Sequence, residues 1–289
     1  MHSTIKRILN ETTKRVSTIK NSDNNIHEKK IQNKRDVISA IREKQMKGYV
    51  PVISEVKPSS PSQRYMTITP QKAVTIAIQM ESAGAVAVSV LTEPVFFHGS
   101  LENLESVRKS VNIPVLRKDF IIDERQLSES KCDIILLITC VLGNKLAHFV
   151  DIALSKGIEP LVEAQNKEEL YIALETNARL IGINNRNFDT MKVDLNTTRL
   201  LAPLVRKYDA ENGTDHVIVC ESGIDSCEDV KAMIDAGADA LLIGTSIIKS
   251  DNIYYKTKEL VEAAKCTKNF ADQKRKELLQ EYVGESEHT

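Results

Sequence analysis

The sequence predicts a single (β/α)8 barrel, a TIM barrel, with extra N-terminal helices and a short C-terminal helical extension. Three observations predict it. Eight short runs rich in Val and Ile recur along the chain, and helix-patterned segments separate them. Small turn marks also return at intervals of about 50 residues, the length of two strand–helix units. The expected boundaries are a helical cap over 1–47, the barrel over 48–265, and an extension over 266–289 that is part of the same domain or a tail.

Residues 1–47 are polar and Lys-rich. Apolar positions at Ile5, Ile8, Leu9, Val16 and Ile19, and again at Ile31, Val37, Ile38 and Ile41, predict two helices, the second over 26–46. Their lysines read as a solvated outer face. From Tyr49 the predicted strands are 50–56, 86–91, 115–117, 134–138, 159–162, 180–183, 217–220 and 240–243. Predicted helices lie between them at 70–82, 101–110, 123–128, 145–155, 167–175, 197–208 and 228–236. Strands apolar at successive positions, each followed by a helix, point to a parallel sheet covered by helices. The turn marks Ala83-Gly84-Ala85, Lys131-Cys132-Asp133, Asn177-Ala178-Arg179 and Ala236-Gly237-Ala238 precede the even-numbered strands. Eight units favour closure into a barrel. An open doubly wound sheet is the rival, but the first strand is not followed by the Gly-x-Gly-x-x-Gly turn that its dinucleotide-binding version requires.

Composition narrows the function. A net charge of -1 gives no global field for nucleic acid or an anionic membrane, although a local basic pocket is compatible with it. Residues 1–20 are broken by Lys6, Arg7, Lys14 and Arg15, unlike a signal peptide, and the apolar runs are strand-length rather than membrane-spanning. The five cysteines include no Cys-x-x-Cys pair, so neither structural zinc nor a disulfide framework is expected, and cytoplasmic location is the default. His2, His27, His98, His148, His216 and His288 show no metal-ligand spacing.

The carboxyl ends of the strands form the catalytic face of such a barrel. There the first strand ends Ser54-Glu55-Val56-Lys57, the third Arg117-Lys118-Asp119 and the fifth Val162-Glu163. The sixth ends Ile183-Asn184 and the seventh Cys220-Glu221. Any one of these alone reads equally well as an exposed loop residue. Recurring at the odd strands, they predict one charge-balanced pocket, since ionised groups beside a core are costly unless paired or used. Cys220 beside Glu221 would face the opposite way by strand alternation, and is expected to be buried rather than nucleophilic.

A second constellation suits a phosphate. Glu221-Ser222-Gly223-Ile224 follows the seventh strand and Ile243-Gly244-Thr245-Ser246 the eighth. Gly223 and Gly244 allow close backbone approach, while Ser222 and Thr245 can donate hydrogen bonds. Phosphate sites in the loops after strands seven and eight recur in barrels. Ser60 and Ser62, after the first strand, lie on the adjacent side of the ring.

These motifs, in order over roughly 49–248, resemble the indole-3-glycerol phosphate synthase family. The matching stretches begin with Ser54-Glu55-Val56-Lys57-Pro58-Ser59-Ser60-Pro61-Ser62, Ser89-Val90-Leu91-Thr92-Glu93 and Phe97-His98-Gly99-Ser100. Further on come Pro114-Val115-Leu116-Arg117-Lys118-Asp119-Phe120, Pro160-Leu161-Val162-Glu163, Ile181-Gly182-Ile183-Asn184-Asn185-Arg186, and the two glycine-containing loops. The resemblance implies a carboxy-lyase of tryptophan biosynthesis. It would close the ring of 1-(2-carboxyphenylamino)-1-deoxyribulose 5-phosphate, with loss of carbon dioxide and water and with no cofactor or metal. It further implies Lys118 as a proton donor to the ketone, Lys57 as carboxylate ligand, and Glu163 as proton acceptor or relay. Glu55 would hold Lys57, and Asn184 and Glu221 would bind substrate. Phe120 and Arg186 are further substrate contacts. The division of acid roles between the two lysines stays open, because neighbouring charges titrate jointly.

The chain departs from the pattern at Pro58 and Arg64, in a first loop where relatives carry a basic residue and a Gly, and at Thr139 and Cys140 after the fourth strand. Two alternatives remain. A phosphoribosylanthranilate isomerase-like barrel would want a Cys/Asp pair at the first and fifth strands, and a catalytically silent barrel would be expected to lack Lys118 or Glu163. The expected partner is a small phosphorylated anion, not nucleic acid or a membrane. The protein would act as a monomer or weak homo-oligomer, with association to other tryptophan-pathway enzymes as an option.

Overall fold

The computed structural model describes residues 1–19 and 35–263. Its centre is a closed parallel barrel of eight strands: β1 Val52–Val56, β2 Ala87–Leu91, β3 Val115–Lys118, β4 Ile134–Ile138, β5 Glu159–Ala164, β6 Leu180–Asn184, β7 Val217–Glu221 and β8 Ala240–Ile243. Each strand pairs with its neighbours in the chain, and β1 closes the ring on β8 with Val52 opposite Leu241. The barrel is therefore closed, and the open-sheet alternative is excluded.

The helices through α8 follow the amphipathic stretches, and one more comes after them: α1 Ser3–Ser17, α2 Val37–Met46, α3 Pro70–Ser82, α4 Leu101–Ser110, α5 Leu146–Ser155, α6 Lys167–Leu174, α7 Asn196–Asn212, α8 Cys227–Asp235 and α9 Ile253–Glu262. Local chemistry sets several of their starts. Thr69 caps α3 with Pro70 at its first position, and Ser226 forms a reciprocal capping box with Asp229 at α8. Between β3 and β4 the expected helix is a single 3-10 turn, Glu124–Ser128. The sequence reading did not foresee the short helix Thr245–Lys249, α9, or the two-stranded ribbon of Ser59–Ser60 and Gln63–Arg64. The expected C-terminal helical extension over 266–289 lies outside the described residues, as does the start of the second predicted helix.

Strand alternation divides the apolar residues into two cores. Ile53, Ala87, Leu116, Leu136, Leu161, Leu180, Val219 and Leu242 fill the barrel, whereas Val52, Val90, Ile135, Val162, Ile181 and Leu241 pack under the helices. Both faces of each strand are buried, which is why the sequence shows continuous apolar runs.

The two N-terminal helices serve opposite mouths of the barrel. Arg15 of α1 meets Asp119 after β3, and the backbone N–H of His2 donates to Phe188 O after β6 at 2.8 Å, so α1 lies over the carboxyl ends. Arg42 of α2 donates to Asp239, just before β8, at 2.8 Å, and Arg35 beside it donates to the carbonyl of Ile113, ahead of β3, at 3.0 Å. Ile5 and Ile8 above, and Val37 and Ile41 below, plug the same interior core.

Candidate active site

Four of the strands run further than their apolar runs suggest, and the extra residues carry the polar groups. Lys118, Glu163, Asn184 and Glu221 all lie within strands, and alternation turns them inward above the apolar plug. Glu55 projects inward from β1, and Lys57 follows one residue past its end. Arg117 takes the opposite direction. It is fully buried on the outer face, where it donates to Gln126 O at 2.6 Å and to Glu129 Oε2 at 2.7 Å. The strand-end charges therefore do not all belong to one pocket: Arg117 belongs to the shell.

Lys118 is the centre of the inner group. Its ammonium donates to Glu221 and stands 3.7 Å from Glu163 Oε2. Lys57 Nζ lies 3.2 Å from Glu55 Oε1, whose other oxygen accepts from Ser89 Oγ at 3.4 Å. Glu55, Glu163 and Glu221 are each at most 2% exposed. Oε1 of Glu163 and Oε1 of Glu221 are buried and have no hydrogen-bond partner among the described residues. Such atoms are expensive to hide in a structural network and suit a substrate-binding one.

The charges shape one another. Burial acts most strongly on Lys118, against its charge, yet the carboxylates of Glu221, Glu163 and Glu55 outweigh it and hold the ammonium above the usual lysine range. Glu221 is pushed up to about 7, chiefly by burial, with Lys118 opposing and Glu163 and Glu55 adding to the rise. The result is a lysine that stays cationic at neutral pH beside a carboxyl that titrates near neutrality.

Two glycines make room for these carboxylates. A Cβ on Gly182 would come within 2.5 Å of Glu221 Oε1, and one on Gly244 within 2.5 Å of Glu55 Oε1. Gly244 was expected to serve close phosphate approach; the structure gives it this second task.

The expected phosphate loops meet beside this group. Ser222 and Gly223 adopt left-handed backbone, φ 70° and 85°, and Asn185 Nδ2 donates to Ser222 O at 3.0 Å to hold that turn. Ser60 Oγ accepts from the Tyr65 hydroxyl at 3.2 Å, and the Thr245 side chain lies near enough to help lower the proton affinity of the same hydroxyl. Ser60 and Thr245 thus come together, although 185 residues separate them. Ser62 stays on the exposed rim, with its Oγ 3.4 Å from that of Ser60.

Phe120 stands between Phe97 and Phe188, each ring centre 6.4 Å from its own, in an aromatic row below α1. Arg186 donates to Met191 O at 3.0 Å, and its backbone N–H is received by Asn184 Oδ1 at 2.9 Å, so it also braces the loop after β6. Cys220 is fully buried on the outer face, where Asn185 Nδ2 lies 3.2 Å from its sulfur, as alternation predicted.

Sequence reasoning missed three contributors. Tyr65 shows no motif beyond a lone aromatic in a polar loop. Glu93 was read only as part of a matching stretch, yet its buried carboxylate accepts the N–H groups of Val95, Phe96 and Phe97 at 2.9, 2.7 and 2.9 Å. It therefore sets the loop that presents Phe97. Asp119 accepts from Thr92 Oγ1 at 2.8 Å and from Arg117 Nη2 at 3.1 Å as well as from Arg15. In the sequence it was read only as the residue after Lys118 at the end of the third strand and as part of a matching stretch. Among the described residues no group of three His, Cys, Asp or Glu is placed to hold a metal ion.

The sequence model described as "Indole-3-glycerol phosphate synthase" matches residues 5–260. The chain is 41% identical over 215 residues to the indole-3-glycerol phosphate synthase of Aquifex aeolicus, covering 73% of this chain and 80% of that protein. It is 42% identical over 215 residues to the same enzyme of Methanocaldococcus jannaschii, covering 73% and 77%. Among solved structures, the (S)-3-O-geranylgeranylglyceryl phosphate synthase of Thermoplasma acidophilum superimposes with a TM-score of 0.54 at 18% identity, over 81% of this chain and 99% of that one. That likeness concerns the barrel alone.

Proposed function

This chain belongs to the indole-3-glycerol phosphate synthase family, and we propose that Lys57, Lys118 and Glu163 carry out its reaction. The enzyme is a carboxy-lyase of tryptophan biosynthesis that converts 1-(2-carboxyphenylamino)-1-deoxyribulose 5-phosphate to indole-3-glycerol phosphate. The observation that carries the residue assignment is Lys118, held protonated between Glu163 and Glu221 at the mouth of the barrel.

Ring closure joins the carboxylate-bearing carbon of the aromatic ring to the ketone carbon. The ketone oxygen takes up a proton as it becomes a hydroxyl, and the Lys118 ammonium, which carries its proton at neutral pH, is the group assigned to supply it, to an oxygen that grows strongly basic as the bond forms. Carbon dioxide then leaves with its bond electrons returning to the ring, which restores aromaticity. Loss of the hydroxyl as water, with removal of a proton from the methylene carbon between the nitrogen and the former ketone carbon, forms the double bond that completes the indole and leaves its N–H in place. Lys57, 3.2 Å from Glu55, holds the substrate carboxylate and is placed to protonate the departing hydroxyl, while Glu163 accepts or relays a proton through its unpartnered oxygen. Glu55 positions Lys57, and Asn184 and Glu221 bind substrate hydroxyls or the nitrogen. The row of Phe97, Phe120 and Phe188 offers an apolar wall to the aromatic ring. Arg186 adds a cation beside Asn184. Ser60, Ser222, Gly223, Gly244 and Thr245 take the phosphate.

The same reading includes a cytoplasmic enzyme working as a monomer or weak homo-oligomer, able to associate with other tryptophan-pathway enzymes. The described cysteines, all free, fit a reducing compartment. No helix among the described residues is long and apolar enough to cross a membrane.

The experiment supplies purified protein with the carboxyphenylamino-deoxyribulose phosphate and follows indole fluorescence. Product from wild type and its loss in Lys118→Ala are expected. Undiminished product from that variant would remove Lys118 from the chemistry.

A further inference from the structure

The assigned phosphate loops supply hydroxyls and backbone amides but no cation. After Lys57 the first loop reads Pro58-Ser59-Ser60-Pro61-Ser62 and reaches no basic residue until Arg64. Arg64 donates to Thr67 Oγ1 at 2.9 Å, within its own exposed loop. A phosphate monoester carries close to two negative charges at neutral pH, and its strong partners are cations and charge-assisted donors. Lys57 is held by Glu55, so its charge is already shared.

Two residues outside the assigned set stand where the missing charge is needed. The Tyr65 hydroxyl donates to Ser60 Oγ at 3.2 Å, and the Thr245 side chain lies near it. Hydroxyls from the first loop, from its ribbon and from the end of β8 therefore meet at one point. Two backbone bonds fix the base of the tyrosine, since the N–H groups of Tyr65 and Met66 both donate to Pro58 O, at 2.9 and 3.1 Å. Lys249, from the short helix after β8, holds its ammonium 5.3 Å from the centre of the Tyr65 ring. The surroundings also act on the phenol. Burial pushes its proton affinity up most strongly, yet Ser60, Thr245 and the charges of Lys57 and Lys249 together bring it below the usual tyrosine range. That is the mark of a positive, donor-rich environment.

On the reading that the substrate carries a phosphate, we propose that Tyr65 and Lys249 complete the phosphate subsite of this chain, the phenol as a further donor and the ammonium as its cation. The pair takes the place of a basic residue in the first loop, where the chain has Pro58. Tyr65 then has two tasks. In the free protein its one O–H is donated to Ser60 beside the end of β8, and with phosphate bound that O–H turns from Ser60 to a phosphate oxygen.

The test uses the full chain and inorganic phosphate as the probe, by titration calorimetry, alongside KM for the phosphorylated substrate. Y65F and K249M should each weaken phosphate binding about 5- to 10-fold, the size of one charge-assisted hydrogen bond. The loss of activity should fall on KM rather than kcat, and K249R should restore most of it. If the tyrosine only pins the loop, Y65F will lower the melting temperature while phosphate affinity stays within twofold of wild type, which overturns the assignment. Equal phosphate affinity in K249M overturns the role of the lysine. Calorimetry needs no turnover, so failure here is distinct from failure of the catalytic reading, which absence of indole product from wild type would show.

Discussion

Arg15 Nη2 donates to Asp119 Oδ1 across 2.9 Å, joining the first helix to the residue that follows Lys118. Asp119 is buried and also accepts from Thr92, Arg117 and its neighbour's backbone N–H, Phe120 N, at 2.8 Å. The catalytic mouth thus depends on a segment that precedes the barrel in sequence. Arg15→Ala removes one of several donors to a buried carboxylate. It should cost about 1–3 kcal/mol in urea unfolding and lower kcat/KM by displacing α1 and the end of β3. Unchanged kcat/KM would show that Lys118 is positioned without α1.

Glu163→Gln keeps the size of the side chain but removes its basicity. If Glu163 moves a proton, kcat should fall about 100-fold or more with little change in KM, read from indole fluorescence at saturating substrate. A rise in KM with kcat preserved would make it a binding residue instead.

Glu221 ties stability to pH in an unusual direction. Its carboxyl is raised from 4.5 to about 7 in the folded protein, so between these values the folded state binds more protons than the unfolded one. Stability from this group is therefore fully present below about pH 4.5 and is lost as pH rises through about 7. Glu221→Gln should flatten the stability profile across that window, measured by urea unfolding at successive pH values. It should also bring the basic limb of the rate profile to lower pH, because Lys118 loses its nearest carboxylate.

At the opposite end of the barrel, Asp239 accepts from Arg206 Nη2 at 2.5 Å, from Arg42 Nη1 at 2.8 Å and from Ile218 N at 2.8 Å. Burial pushes its pKa up most strongly, but the two guanidiniums and the backbone bond bring it below the usual aspartate range. Its contribution is present above about pH 4 and lost as pH falls through the lowered pKa. Asp239→Ala should cost about 3–5 kcal/mol in chemical unfolding, since it strands two partly buried arginines. The kcat of the folded fraction should be unchanged, as this face holds the fold and not the chemistry.

Cys220 offers a negative control. Burial pushes its thiol up to about 11, with the bonds from Thr198 and Asn185 opposing, so no thiolate forms at neutral pH. Cys220→Ala should keep kcat within about twofold and cost about 1 kcal/mol in the melting profile. A large fall in kcat would place Cys220 in the chemistry despite its outward direction.

The barrel was legible because its strands are buried on both faces and its helices on one. That difference of period writes eight strands and seven of the later helical segments into the order of apolar residues. What escaped had weak or non-local signals. Thr245–Lys249 is five residues long, and the ribbon of Ser59–Ser60 and Gln63–Arg64 has two residues a side. The predicted strands 115–117, 159–162, 180–183 and 217–220 stop one residue short of Lys118, Glu163, Asn184 and Glu221. The real strands continue through Lys118, Glu163, Asn184 and Glu221, because a barrel tolerates polar groups at its open mouth.

Sequence alone determined the alternation of apolar runs, the direction in which Cys220 and Glu221 part, and the residue types available at each strand end, since all of these follow from local period. Tertiary structure decided which charges meet. Lys118 and Arg117 are adjacent in sequence yet face opposite sides of one strand, one toward Glu163 and Glu221 and the other toward Glu129. Closure of the ring brings Ser60, Tyr65 and Thr245 into one neighbourhood, and sends α1 and α2 to opposite mouths. Pairings of that kind depend on distance through space, which no spacing along the chain encodes.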